Sequence, residues 1–226
     1  MKVRLLAHTQ PVKNWETGET DDIKDVQELI AFCAKVSNPQ FQDDFSKSDR
    51  LLQYLIKHQH WSPFEMASVT MEVTTTRDIA RQFLRHRSFS FQEFSQRYAD
   101  PASMGDQFVI REARLQDEKN RQNSIETDDE QLKLAWAAKQ QMVIHECNMA
   151  YKWAIENGIA KEQARCVLPE GNTVSRLYVN GTIRSWIHYI ELRSAHGTQK
   201  EHMEIARECG YAISRIFPYV DNFINA

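Results

Sequence analysis

No cysteine framework is written into this chain. Cys33, Cys147, Cys166 and Cys209 form no CxxC pair and have no companion histidines at zinc-finger spacing. That excludes a disulfide-stapled or zinc-clasped fold and predicts reduced, mostly buried thiols. No apolar run approaches the roughly 20 residues that a membrane span needs. The opening Met1 to His8 is too short and too interrupted for a signal peptide, so the expectation is a soluble, cytoplasmic protein. Neither sign of charge prevails, since 28 basic against 31 acidic residues leave a net −3. A generally basic nucleic-acid binder carries the opposite balance, so any anion site must be local. The length of 226 residues suffices for one sizeable domain or two small ones, with a core to bury.

What the sequence does have is one dense stretch, residues 81–98. It holds Arg81, Arg85, Arg87, Arg97, His86, Glu93, several hydroxyls and five aromatic rings. Residues 77–87 carry a helical pattern with Ile79, Phe83 and Leu84 as the apolar stripe and Thr76 as N-cap. On such a helix Arg81, Gln82 and Arg85 share a face, whereas Arg85, His86 and Arg87 point about 100° apart in succession. One ligand cannot collect all three. Either the helix ends within the triplet, or its side chains serve different ligands or a neighbouring subunit. After it, Phe89 and Phe91 alternate with Ser88, Ser90 and Gln92, as extended chain does. Taken singly, these arginines and His86 could merely offset the negative end of a helix dipole. As a set they point to a pocket wall for a flat, phosphorylated ligand.

Around this stretch the patterns alternate between strand and helix. Residues 1–9 predict a strand, and Asp21–Asp22 opens a helix with Ile23, Val26, Ile30 and Cys33 as its stripe. A second amphipathic helix spans about 44–58. Ser62, Pro63 and Glu65 read as a capping box at a helix start. Residues 67–75 alternate as a half-buried strand, and Pro101 to Gln107 reads as loop. Residues 111–130 are almost wholly polar and predict a solvated loop or insertion without chemistry of its own. A long helix from about 128 to 157 has apolar faces on more than one side, as a subunit interface or a central core helix would. A short helix covers 160–169, a strand follows over 173–179, and Asn180–Gly181 marks a turn. The next helix, 182–193, places Arg184 and His188 on one face, and a last helix spans about 199–217. His196 and His202 lack the companions of a metal site and read as structural or polar contacts, so no metal is expected.

Two ordered motifs carry a family resemblance. Arg85-His86-Arg87, seven intervening residues and Ser95 match the RHR-x7-S signature of flavin-dependent thymidylate synthases, with Glu93 and Arg97 also in register. Upstream, His60-Trp61-Ser62-Pro63-Phe64-Glu65 resembles that family's H-x-[ST]-P-F-E segment. Downstream, Ala164-Arg165 with Leu168-Pro169 resembles its A-R-x-x-L-P, and Leu192-Arg193 its substrate-contacting L-R. His188 stands where other members carry Asn. The resemblance implies a single α+β domain, an antiparallel β-sheet flanked by helices. It also implies an activity: methylation of dUMP to dTMP with methylenetetrahydrofolate as carbon donor and NADPH as reductant through FAD.

By the same resemblance, Arg193 is the catalytic residue, holding negative charge on the pyrimidine. Gln82, Arg85, Glu93, Ser95, Gln96, Arg97, Arg165 and Arg193 bind dUMP. His60, Ser62, Glu65, Arg85, His86, Arg87, Glu93, Thr182, Arg184 and His188 bind FAD. The family is homotetrameric with shared active sites, which suits the divergent directions of Arg85, His86 and Arg87. Neither cysteine-dependent nucleophile chemistry at Cys166 nor serine chemistry at Ser95 is implied: Cys166 lacks a Pro-Cys-His context, and Ser95 has no evident base in sequence. The competing class, a nucleic-acid binder using the same arginines and rings, conflicts with the net acidity and with the Arg184–Arg193 segment.

Overall fold

The computed structural model describes residues 1–12, 23–105 and 107–225. In chain order the strands are β1 (Lys2–His8), β2 (Ser68–Thr76), β3 (Ser90–Glu93), β4 (Arg114–Gln116), β5 (Ser124–Glu126) and β6 (Val174–Thr182). The α-helices are α1 (Val26–Ala34), α2 (Ser48–Lys57), α3 (Arg77–Phe83), α4 (Glu130–Glu156), α5 (Lys161–Ala164), α6 (Ile183–Arg193) and α7 (Lys200–Ser214). One antiparallel sheet in the order β1-β2-β6-β3 is flanked by helices, the α+β arrangement expected. Val69, Met71 and Val73 of β2 and Leu177 and Val179 of β6 point to one face. There they meet Trp186, Ile187 and Ile190 of α6 and Ile205, Cys209 and Ile213 of α7 in a single core. Period-two burial on the strands and a 3.6-residue stripe on the helices produce this contact.

Both central strands run straight into helices. β2 passes into α3 at Thr76, whose backbone is extended while its side chain caps no backbone N–H. β6 passes into α6 at Thr182, whose hydroxyl accepts from the Ser185 N–H. Because Ser68 pairs with Thr182 and Thr76 with Val174, the strands are antiparallel, and α3 and α6 leave opposite ends of the sheet.

Several expectations need correction. Asn180 and Gly181 do not turn: both lie inside β6, paired with Thr70 and Val69. The glycine is there for closeness, since a Cβ on Gly181 would sit 2.3 Å from the Phe89 ring. The capping box does not form. Ser62–Glu65 is a 3₁₀ turn after Trp61 without a side-chain cap, and the Glu65 carboxylate pairs with Arg184 instead. α3 stops at Phe83, before the Arg85–Arg87 triplet. Residues 111–130 are not a featureless loop, for β4 and β5 pair there as a hairpin. The helix expected over 44–58 begins with a 3₁₀ turn, Phe45–Lys47, and the one expected over 160–169 is the four-residue α5 followed by the 3₁₀ turn Arg165–Val167. α1 starts at its cap Asp25, and the proposed start at Asp21–Asp22 lies outside the described residues. α4 is no central core helix: Leu134 is 71% exposed, Met142 62% and Trp153 60%.

Candidate active site

The end of α3 turns the chain sharply, with the His86 N–H donating to the Phe83 carbonyl at 3.0 Å. Arg85 and Arg87 are left exposed, and His86 is turned inward. Its Nε2 accepts from the Arg193 Nε–H at 3.0 Å. This contact joins the two sequence segments expected to share the site, 107 residues apart. Burial, and secondarily the Arg193 charge, lowers the His86 pKa to about 4. The imidazole is therefore neutral near pH 7, and its lone pair on Nε2 can hold Arg193 in place. Only the Nε–H of Arg193 is spent in that contact, so its terminal amino groups remain for a ligand. Beneath lies an aromatic floor: Phe83 meets Tyr189 edge to face at 4.5 Å, and Phe89 packs on Trp186 at 4.6 Å.

Gln82, on α3, enters a polar network that pattern reading did not anticipate. Its Nε2 donates to Gln199 Oε1 at 2.7 Å, and its Oε1 lies 3.3 Å from His202 Nδ1. Gln199 Nε2 donates to Glu201 Oε2 at 3.0 Å. Glu201 in turn receives Arg114 at 2.6 Å and Arg111 at 3.1 Å, both from the hairpin region. Arg111 also reaches Asp78 at 2.7 Å. A cavity of about 360 Å³ opens beside this network, lined in part by Asp78, Arg111, Arg114, Trp136, Gln199 and Glu201. One signal was readable beforehand. His202 falls at i−3 and i−4 from Ile205 and Ala206, on the apolar stripe of α7, where a polar residue must be buried and partnered.

The remaining expected residues fall into two further groups. In the first, Glu93 is held by Arg81 at 3.1 Å and Ser175 at 2.9 Å, with Arg77 at 3.5 Å. Gln96 is buried nearby in sequence, 3% exposed. Ser95 Oγ accepts weakly from the Arg97 N–H at 3.4 Å. Arg97 and Arg165 converge on Glu162, one through its carboxylate at 3.8 Å and the other through its carbonyl at 3.3 Å. In the second group Arg184 pairs with Glu65, and His188 packs edge-on against Trp61 at 4.9 Å. Burial, then the Arg184 charge, lowers the His188 pKa. Ser62 and His60 lie exposed in the neighbouring segment, with His60 6.1 Å from the rings of Tyr54 and His58. Thr182 serves as the α6 cap. Within one chain, then, side-chain contacts join Gln82 to His202 and His86 to Arg193, and Arg97 and Arg165 through Glu162. Among the described residues no side-chain hydrogen bond or ion pair links these three contacts to one another or to the Arg184 group.

The chain matches the family model described as "Thymidylate synthase complementing protein" over residues 20–219. It is 45% identical over 220 residues to a probable flavin-dependent thymidylate synthase of Paramecium bursaria Chlorella virus 1, covering 97% of both chains. It is 46% identical over 221 residues to a flavin-dependent thymidylate synthase of Synechocystis sp., again covering 97% of both. Among solved structures, it superposes on the UMP/dUMP methylase PolB of Streptomyces cacaoi, bound with 5-Br dUMP, with a TM-score of 0.78 at 25% identity. That match covers 98% of this chain and 93% of that one.

Proposed function

Since this chain belongs to the family of flavin-dependent thymidylate synthases, we propose that it methylates dUMP to dTMP, with methylenetetrahydrofolate as carbon donor and NADPH as reductant through FAD. The observation that carries this reading is the His86–Arg193 contact, which unites the RHR segment with the L-R segment at one point.

Arg193 is the catalytic residue. A guanidinium remains protonated, so it stabilises negative charge on the pyrimidine without acting as base. His86 fixes its direction by accepting from Nε. Gln82, Arg85, Glu93, Ser95, Gln96, Arg97 and Arg165 hold the nucleotide, and the Arg97–Arg165 corner suits its phosphate because arginine forks match phosphate oxygens. The donor set fits FAD. Arg85 and Arg87 are exposed cations, and Arg184 offers a guanidinium whose partner Glu65 is itself exposed. With His60, Ser62, Glu65, His86, Glu93, Thr182 and His188 they would hold the cofactor's charged and polar edges. When bound, FAD supplies the hydride-transfer chemistry. The residues of this chain orient it, hold the pyrimidine and present fixed positive charge.

The assembly proposed is a homotetramer with shared active sites. Its support is α4, where Leu134, Met142 and Trp153 expose an apolar surface that a lone chain leaves in water. A cytoplasmic location is part of the same proposal, and no described helix is long and apolar enough to cross a membrane.

The test is an absorption titration of the purified protein with FAD, with and without dUMP, followed by assay of dTMP formation. A bound-flavin spectrum that shifts on adding dUMP, with turnover, is the expected result. A spectrum equal to free FAD throughout would overturn the proposal.

A further inference from the structure

The Gln82 network has a direction, and its charged end sets it. Burial alone would raise the Glu201 carboxyl, but the hydrogen bond from Arg114, the backbone and the Arg111 charge bring it below the ordinary carboxylate range. It is therefore ionised and can only accept. Gln199 must turn its NH₂ toward Glu201 Oε2, 3.0 Å away. That leaves the Gln199 carbonyl facing Gln82, so Gln82 must turn its NH₂ to Gln199 at 2.7 Å. The Gln82 carbonyl is then the atom 3.3 Å from His202 Nδ1, which must carry the proton. His202 is fully buried, and its Nε2 has no partner among the described residues. A bare lone pair tolerates that better than an N–H would.

We propose that Glu201 and His202 are positioning residues for Gln82. Clamped by Arg111 and Arg114, the Glu201 carboxylate imposes one direction on the chain Glu201–Gln199–Gln82–His202 and so fixes the orientation in which the Gln82 amide meets the nucleotide. The inference rests on the reading that Gln82 contacts dUMP. Each end of the amide keeps one unused valence, a proton on Nε2 and a lone pair on Oε1, and the two cannot be exchanged by a flip. Burial, the Arg193 charge and His86 lower the His202 pKa to about 3, in keeping with a neutral ring. The hairpin and the segment leading into it thereby act on the site through Gln82, because Arg111 and Arg114 set the polarity of the chain.

The relay is tested first in the FAD-bound, nucleotide-free protein by ¹⁵N NMR of labelled histidine. His202 should show protonation at Nδ1 only, unchanged between about pH 6 and pH 8, well above its lowered pKa. An Nε2–H tautomer would overturn the relay outright. Kinetics test the consequence. Glu201→Gln lets either amide end face Gln199, and His202→Phe removes the donor. Each should raise KM for dUMP about tenfold, the loss of roughly one hydrogen bond, while kcat changes far less. His202→Asn restores a donor near Nδ1 and should return KM most of the way. If Phe and Asn at position 202 shift KM equally, or if Glu201→Gln binds dUMP as the parent does, the residues are structural only. Should Glu201→Gln fail to fold, the tautomer and the position-202 pair still decide. Absence of any dUMP turnover by the parent would instead sink the functional reading, and the positioning role with it; the tautomer would still report on the relay alone.

Discussion

Arg193 and His86 make their contact through a lone pair, and acid removes lone pairs. His86 and His202 both have pKa values lowered below the ordinary imidazole value, to about 4 and about 3. Below the unfolded value the unfolded chain therefore binds more protons than the folded one, and stability rises with pH. The stabilisation is complete above about pH 6.5, the unperturbed value, and is lost as pH falls toward 4 and below. Thermal melts between pH 5 and pH 8 should show this acid limb, and His202→Phe should flatten part of it. A flat profile in the parent would mean that these rings are not held neutral by the fold. Removing the guanidinium has a separate consequence: Arg193→Ala should abolish dTMP formation, by at least about a hundredfold as for loss of an electrostatic stabiliser. FAD binding, read from the flavin spectrum, should persist. Retained turnover would strip Arg193 of its assigned role.

Among the elements, the junction of β6 with β3 is set by one missing side chain. The Phe89 ring lies where a Cβ of residue 181 would go, 2.3 Å from Cδ1 and 2.4 Å from Cε1. Phe89 also packs on Phe83 and Trp186, beneath His86. Gly181→Ala should therefore destabilise by about 1–3 kcal/mol through overpacking, read as a lower denaturation midpoint with unchanged m-value. It should also loosen the dUMP site. An unaffected midpoint would show that the ring moves aside freely. This glycine illustrates what the sequence makes legible. Period-two alternation over 67–75 and the stripe of α7 were readable because local geometry repeats them. Asn-Gly also reads locally, as a turn, but tertiary contact with Phe89 overrides that signal. Likewise the polar run 111–130 looks solvated until α7 supplies Glu201 to receive Arg111 and Arg114. The site divides in the same way: RHR-x7-S and L-R were visible as motifs, whereas Gln199, Glu201, Arg111 and Arg114 depend on contacts up to 117 residues apart.

For the whole molecule, what matters is the surface a lone chain cannot cover. α4 has 27 residues, of which Gln140, Tyr151 and Ala154 are buried, while Leu134, Met142 and Trp153 are more than half exposed. Positions 142, 149 and 153 follow one another at helical spacing, so Met142, Met149 and Trp153 form one strip. Contiguous exposed apolar strips mark interfaces, because burying them removes apolar area from water at roughly 25 cal/mol per Å². Arg85 and Arg87 are exposed while His86 is half-buried, as the proposed site completed by another copy would require. Assembly and chemistry should then fail together. Met149→Glu with Trp153→Glu places two carboxylates in the strip and should convert the proposed tetramer to smaller species in sedimentation velocity. Its circular dichroism should remain that of the folded chain, since neither side chain belongs to the core. FAD retention and dTMP formation should fall in step with the loss of tetramer and recover where high protein concentration restores it. A dissociated variant that keeps full activity would show that one chain builds the whole site, and the shared-site assembly would have to be abandoned.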